Sequence, residues 1–235
     1  MNPQENIVKF YQYECEYNVG DCLSKPILEH FLGKDNVKQV KALERGKLVA
    51  VGSVMSKVAP NDIVWGTGSM HDKKYPVNAT ILAVRGPLTR KTIVGSDVPE
   101  IYGDPALLLP LIYNPNILKI KGKVGYIFHY VDKPLFKNKE FIDVALPWKK
   151  FVDKVLECES IVSSSLHGIV IAEAYGIPAT WVEYSNKVIG KGFKFRDYLE
   201  GTGRQAQGVG QFPPIKNLKE IQDKLLQALL KYYGK

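Results

Sequence analysis

The segment covering residues 161–178 constrains the fold more than any other. Residues 161–162 end a short apolar strand, residues 163–165 are all serine, and residues 166–175 form an apolar stretch that Gly176 ends. Serine is a common N-cap residue, so a helix is expected to begin directly after the strand. Such a helix start presents free backbone N–H groups and the positive end of the dipole. The segment therefore predicts an α/β chain with a place for an anion at this helix start.

His167 lies in the first turn of that predicted helix. The positive end of the dipole disfavours a cation, so the imidazole resists protonation until a bound phosphate reverses the bias. Two interpretations stay open. His167 contacts an anion and handles a proton, or it hydrogen-bonds a neighbouring loop in a capped helix that binds nothing.

Composition narrows the class of protein. The 235 residues allow one large domain or two small ones, and an apolar fraction of 45% is ordinary for a globular chain. The net charge of +8 favours anionic partners. The basic residues are spread along the chain without a long run, which argues against nucleic acid.

Three cysteines, at positions 15, 22 and 158, have no zinc spacing, and so sparse a set is typical of a reducing compartment. We find no signal peptide and no apolar run near the roughly 20 residues that a membrane span needs. We therefore expect a cytoplasmic protein whose cysteines hold no zinc.

Short apolar strands alternate with helices along the chain, which predicts parallel sheets. A proline-containing stretch at residues 110–121 is the expected boundary, giving an N-terminal half at 1–115, a C-terminal half at 116–215 and a final helix at 216–235. The face of that helix either packs on the body or touches a membrane. Strands are expected at residues 7–13, 47–51, 62–65, 80–84, 123–129, 141–146 and 179–182, with 80–84 central; helices are expected at 23–31, 147–156 and 217–233.

Polar residues follow several of these strands. Asn18, Gly20 and Asp21 form a turn after the first strand. Arg85 ends the strand at 80–84, where it could fork onto a carboxylate or phosphate, or simply pair with an acid at the surface. Asp104, before a proline, is explained as an N-cap without any ligand.

Basic and aromatic residues alternate from position 191 to 198. A strand here would place Lys194 and Arg196 on one side, facing an anion. The other interpretation is an exposed strand or loop whose lysines are solvated.

Five motifs occur in a fixed order, and together they resemble the polysaccharide pyruvyl transferase family in its short bacterial form, over about residues 7–205. They are Asn-Val-Gly-Asp at 18–21, Ala-Val-Arg-Gly-Pro at 83–87, Gly-Asp-Pro-Ala at 103–106, Ser-Ser-Leu-His-Gly at 164–168 and Lys-Phe-Arg-Asp-Tyr at 194–198. The resemblance implies two Rossmann-like halves around a cleft, similar to the GT-B glycosyltransferases. It also implies phosphoenolpyruvate as donor, the sugar diol of a lipid-linked glycan as acceptor, and no metal.

The resemblance also assigns roles to residues of this chain. His167 would be catalytic, and Asn18, Gly20 and Asp21 would bind the acceptor. Relatives have Arg-Leu-His where this chain has a serine first, so one arginine is missing from the donor site and Lys194 or Arg196 could replace it. The phosphoenolpyruvate-binding set is Arg85, Ser164, Ser165, Leu166, Lys194 and Arg196.

Two other functions remain compatible with these residues. A GT-B-like glycosyltransferase would bind a nucleotide sugar and ignore phosphoenolpyruvate. A non-catalytic relative would bind a glycan or phosphate without releasing phosphate, and the serine at position 165 is consistent with that option. We expect the enzyme to act in the cytoplasm or at the inner face of the cell membrane, where its acceptor would be held.

Overall fold

The computed structural model describes residues 7–13, 18–137, 139–205 and 208–235, which form a mixed α/β fold. The strands are β1 (Val8–Tyr11), β2 (Val37–Val40), β3 (Leu48–Val49), β4 (Ile63–Trp65), β5 (Tyr75–Pro76), β6 (Thr80–Ala83), β7 (Ile93–Val94), β8 (Val124–Ile127), β9 (Ser160–Ser163), β10 (Ala179–Trp181) and β11 (Gly210–Gln211). The helices are α1 (Ser24–Leu32), α2 (Pro87–Thr92), α3 (Leu109–Ile112), α4 (Trp148–Leu156), α5 (Leu166–Ala174), α6 (Phe193–Gly201) and α7 (Leu218–Tyr232).

The first sheet is entirely parallel, with the order β2-β1-β3-β4-β6. The strand expected at the centre, β6, lies at an edge of this sheet. Directly after β6, Val84 forms one isolated parallel bridge with Tyr102. That expectation is wrong because an apolar run indicates that the faces of a strand are covered and does not indicate how many strands lie beside it. The strand β2 was missed because Lys38 and Gln39 are exposed at the other edge.

The second sheet has the order β11-β10-β9-β8. Its strands β8, β9 and β10 are parallel, whereas β11 pairs antiparallel with β10. A purely parallel second sheet is therefore wrong at this one edge. A small two-stranded parallel sheet joins β5 and β7.

Residues 141–146 do not form the expected strand. Ile142 donates its backbone N–H to the Tyr126 carbonyl at 2.8 Å, but no ladder follows. The Asp143 carboxylate accepts the N–H of Ala145 at 2.9 Å and pairs with Lys133, which holds a turn instead. Local side-chain hydrogen bonds of this kind compete with a strand.

The helix α5 is the centre of the fold. All nine of its residues are buried, so it is covered around its whole circumference rather than on one face, and His167 and Glu173 are its two polar residues. It packs against β9 and β10 and against the 3₁₀ turn Pro105–Leu108 that follows β6 and α2 in the chain. One apolar core runs through both sheets as a result.

The C-terminal helix α7 is held against the first half of the chain. The Trp65 indole donates to the Leu225 carbonyl at 2.8 Å, and the Gln222 amide donates to the Leu107 carbonyl at 2.7 Å. Ile221, Leu225 and Leu229 are buried on the same face. The apolar face predicted from the sequence thus lies against the protein body.

Among the described residues, no helix has both the length and the apolar character needed to cross a bilayer. Within the described part of the chain, neither Cys22 nor Cys158 forms a disulfide. Cys15 lies outside the described residues.

Replacing Leu225 with alanine should lower the free energy of unfolding by about 2–5 kcal/mol, because a fully buried leucine leaves a cavity between α7 and the first sheet. Urea denaturation measures the effect. The matched control is Gln227→Ala on the exposed face of the same helix. Equal stability of the two variants would show that α7 contributes little to the core.

Candidate functional site

A cavity of about 240 Å³ lies at the carboxyl ends of strands from both sheets. Its walls follow β1, β3 and β4 of the first sheet and β8, β9 and β10 of the second. Parallel α/β sheets bind ligands at this end of their strands. The lining residues are Tyr13, Asn18, Asp21, Ser53, Val54, Ser56, Lys57, Met70, His129, Tyr130, Ser165, Leu166, His167, Ile189 and Lys194.

The start of α5 forms one wall, but its capping differs from the prediction. Ser165 occupies the N-cap position, yet its side chain makes no capping hydrogen bond. Instead, the Ser163 hydroxyl accepts the N–H of Ser165 and donates to its carbonyl, both at 2.9 Å. The N–H groups of Leu166 and His167 belong to the first turn and have no acceptor within the helix. The helix start at the cavity therefore has backbone N–H groups that can donate hydrogen bonds to a ligand.

Ser164 lies behind this wall and does not line the cavity. Its hydroxyl donates to Asp132 at 2.8 Å and accepts the backbone N–H of His129 at 3.0 Å. Asp132 is itself fully buried and accepts a second hydroxyl, from Ser185. The role that the structure gives Ser164 is to hold the loop that carries His129.

The His167 ring is enclosed, with only 6% of the residue exposed. Its Nε2 lies 3.5 Å from Oδ2 of Asp104. Gly20 packs against the other side of the ring, where an added Cβ would come within 1.8 Å of Nδ1. Only glycine leaves room for the imidazole at position 20.

The turn after β1 supplies the opposite wall. The Asn18 amide donates to Asp21 at 2.8 Å, and both side chains line the cavity. Burial raises the pKa of Asp21, and the nearby His167, Asn18 and Lys194 partly offset this rise. The structure thus brings Asn18, Gly20 and Asp21 together with His167, as the ordered motifs suggested.

Residues 193–201 form the helix α6 instead of the expected strand. Gly192 precedes it in the left-handed region, with φ of 72°, a conformation that the alternating pattern does not reveal. Lys194 lines the cavity and is 7% exposed. Arg196, two residues later on a helix, faces another direction and is not among the lining residues. The shared face predicted for Lys194 and Arg196 is therefore wrong. The alternative of solvated lysines is wrong for Lys194, although Lys191 is exposed.

Burial lowers the pKa of Lys194 from 10.5 to about 8. The charge of Arg85 lowers it further, while Asp21 and Asp132 oppose the change. Lys194 is thus a cation that lacks enough negative charge around it. An anion in the cavity would supply that charge.

Arg85 does not reach the cavity surface. It is fully buried and donates to Asp197 at 2.9 Å, to the Ser53 hydroxyl at 2.6 Å and to the Ser69 carbonyl at 2.7 Å. The pairing with an acid was one of the two expectations, but it occurs in the interior rather than at the surface. Arg85 is connected to the cavity through Ser53, which lines it.

Sequence reasoning missed His129, which also lines the cavity. Burial, together with the nearby Lys194 and His167, lowers its pKa from 6.5 to about 3, so the ring is neutral near pH 7. The available signal was its position at the carboxyl end of a predicted strand, the same argument that selected Arg85.

Comparisons with known proteins identify a family and two relatives. The model of the family described as polysaccharide pyruvyl transferase matches residues 63–186, which is 124 of the 235 residues. The chain is 35% identical over 190 residues to the uncharacterized protein L143 of Acanthamoeba polyphaga mimivirus, covering 74% of this chain and 66% of that protein. It is 27% identical over 214 residues to the succinoglycan biosynthesis protein ExoV of Rhizobium meliloti (strain 1021), covering 83% of this chain and 65% of that protein.

The chain therefore spans just under two thirds of the length of these two relatives. No solved structure matches the chain.

Replacing Asp197 with alanine should lower the free energy of unfolding by about 3–5 kcal/mol, because it leaves the buried Arg85 guanidinium without its counter-charge. Arg85→Met should be similarly destabilising, and the double variant should lose less than the sum of the two, as urea denaturation will show. If Arg85→Met kept full stability and lost only ligand binding, Arg85 would be a ligand contact rather than half of an internal ion pair.

Proposed function

The chain belongs to the polysaccharide pyruvyl transferase family, and on that premise we propose that it transfers pyruvate from phosphoenolpyruvate to a sugar diol of a polysaccharide repeat unit. The products are a cyclic pyruvate ketal and phosphate. The observation that carries the proposal is the convergence of His167, Lys194 and the start of α5 on one small cavity.

The cavity suits a small anion with more than one negative charge. Phosphoenolpyruvate carries a carboxylate and a phosphate close together, so it needs cations and N–H donors rather than a large apolar pocket. Lys194 and Lys57 supply positive charge, and the first turn of α5 supplies N–H groups beside Ser165. The volume of about 240 Å³ is below the range of about 300–1,000 Å³ that is usual for drug-sized ligands.

Arg85 adds to this field from behind the wall. Its guanidinium holds the Ser53 hydroxyl at 2.6 Å, and Ser53 faces the cavity. We assign Arg85 to the donor site in this indirect way, while Ser164 supports the wall from the other half. Arg196 is the weakest member of the expected set because it lies off the cavity lining.

The reaction needs proton transfers at defined points. A proton added to C3 makes C2 electrophilic, one sugar hydroxyl attacks C2 and loses its proton, and the C2–O bond to phosphate breaks. The second hydroxyl then closes the ring on C2 and loses its proton. His167 is our candidate for proton handling or for stabilising the departing phosphate, and such acid–base help contributes on the order of 10²–10⁴-fold.

The turn at Asn18 and Asp21 forms the wall opposite α5 and is our candidate acceptor side. Amide and carboxyl groups recognise sugar hydroxyls through hydrogen bonds. A lipid-linked oligosaccharide as acceptor would place the enzyme in the cytoplasm at the inner face of the membrane.

We also propose a GT-B-like arrangement of two halves, at residues 1–115 and 116–215, with the last helix at 216–235 packed on the body. Support comes from the cavity, whose walls are loops at the carboxyl ends of strands in both sheets.

Phosphoenolpyruvate should raise the melting temperature of the protein, whereas pyruvate and nucleotide sugars should not. A ligand present at 100 times its dissociation constant stabilises the fold by about 2.7 kcal/mol. Inorganic phosphate should give a smaller shift because it fills only part of the site.

Lys194→Met should abolish the shift by phosphoenolpyruvate, and the exposed Lys187→Met is the matched control that should retain it. A shift with a nucleotide sugar alone would instead indicate a glycosyltransferase. Phosphate release from phosphoenolpyruvate in the presence of a glycan acceptor tests the full reaction.

Binding of phosphoenolpyruvate should take up protons at pH 8–9. Lys194 is partly neutral there, since its pKa is about 8, and an adjacent anion raises that pKa and recharges the amine. At pH 6 the amine is charged before and after binding, so it takes up none. Calorimetry in buffers of different ionisation enthalpy measures the uptake, and Lys194→Arg, whose guanidinium stays charged at every pH used, should still bind phosphoenolpyruvate but lack the pH 8–9 component. Uptake that survives in this variant would assign it to another group.

A further inference from the structure

We propose that Asp104 is a positioning residue for His167: its carboxylate holds the Nε2–H of the imidazole and so leaves Nδ1 as the nitrogen that meets the ligand. The inference rests on the proposed function only for its catalytic consequence. The pairing itself stands on the geometry of the two side chains.

Two buried polar atoms face each other without another partner. Asp104 is fully buried, and its Oδ1 accepts the N–H of Ala106 at 3.0 Å, the cap that the sequence predicts. Its Oδ2 and the Nε2 of His167 are both sealed from solvent, and neither makes a hydrogen bond with any described residue. They lie 3.5 Å apart.

A buried polar group without a hydrogen-bond partner destabilises the fold, and it does so more strongly when it is charged. The two atoms relieve that cost for each other when the gap closes by a few tenths of an ångström. Hydrogen bonds of catalytic groups are often long in the free enzyme and tighten when the ligand is bound.

Neither side chain can easily turn away. Asp104 begins the fully buried 3₁₀ turn Pro105–Leu108, which packs directly on α5. Pro105 in turn packs on Gly66, where an added Cβ would come within 2.4 Å of its ring. His167 belongs to a helix that is buried on all sides, and Gly20 blocks the space beside its ring.

The remaining charged and titratable groups around His167 come from other elements. Asp21 approaches from the turn after β1, His129 from the loop after β8, and Lys194 from α6. All three line the cavity, whereas Asp104 lies at the enclosed nitrogen.

A carboxylate at Nε2 selects the tautomer with the proton on that atom. The lone pair then lies on Nδ1, at the side of the ring where Gly20 packs, and the carboxylate stabilises the imidazolium whenever Nδ1 takes a proton. In the proposed reaction, Nδ1 would receive the proton of an attacking hydroxyl or return it to the departing phosphate.

Asp104→Asn tests the pairing without substrate. The amide can still accept the N–H of Ala106, but it presents its own N–H to Nε2 and should drive the imidazole proton to Nδ1. Nitrogen-15 NMR of the imidazole reports the tautomer directly, and His167→Gln identifies the signal among the four histidines. We expect the Nε2–H form in the unmodified protein and the Nδ1–H form in the variant. An unchanged tautomer, or an Nδ1–H form from the start, would overturn the proposal.

The kinetic arm uses the same variant. Asp104→Asn should lower kcat by about 10²-fold or more and change KM little, because the group acts on the proton transfer rather than on binding. Asp104→Ser is the control for the cap, since serine also caps helices. Asp104→Ser should have the same melting temperature as Asp104→Asn, because both keep the cap. Its kcat should also be lowered, because the carboxylate beside Nε2 is absent.

An unchanged kcat in Asp104→Asn would refute the positioning role. If the unmodified protein transfers no pyruvate to any acceptor while the tautomer still moves, the proposed function fails and the pairing stands.

Discussion

The burial of α5 on every side is the constraint on which the rest of the structure depends. A helix that is buried on every side is covered here by the second sheet and by the turn at Pro105–Leu108, which belongs to the first half of the chain, so its N-terminus is fixed relative to both halves. That fixed end carries His167 into the cavity. The apolar core and the chemistry of the site are therefore set by the same packing.

Charge is distributed around this helix start in layers. Lys194 lies at the cavity with its pKa lowered by burial, whereas the Arg85 guanidinium is neutralised behind the wall by Asp197. The positive charge of Lys194 at the cavity is therefore not balanced, whereas the charge of Arg85 behind the wall is balanced by Asp197. Such a site attracts an anion without destabilising the interior, because a buried charge is tolerated when it has a partner.

The start and end of α5 could be predicted from the sequence because serine, glycine and proline act locally on the backbone. The helix α6 could not be predicted, because alternating basic and aromatic residues are typical of a strand. The left-handed conformation of Gly192, which precedes the helix, leaves no such signal in the sequence. Arg85 was selected because it ends a predicted strand, but its partner is 112 positions away and only the fold brings them together. The sequence explained Asp104 as an N-cap, and this accounts for its Oδ1 only. The proximity of its Oδ2 to His167 depends on the fold and could not be predicted.

The ion pair between Arg85 and Asp197 also has a mechanical consequence. Arg85 ends the β6 edge of the first sheet, and Asp197 belongs to α6, which follows the last parallel strand of the second sheet. Glycines at 86 and 201 allow the two segments to touch backbone to backbone, since a Cβ at either position would overlap the facing carbonyl oxygen. Separating the two sheets would break this ion pair and expose the apolar core that they share, so heat or denaturant should melt both sheets in a single cooperative transition.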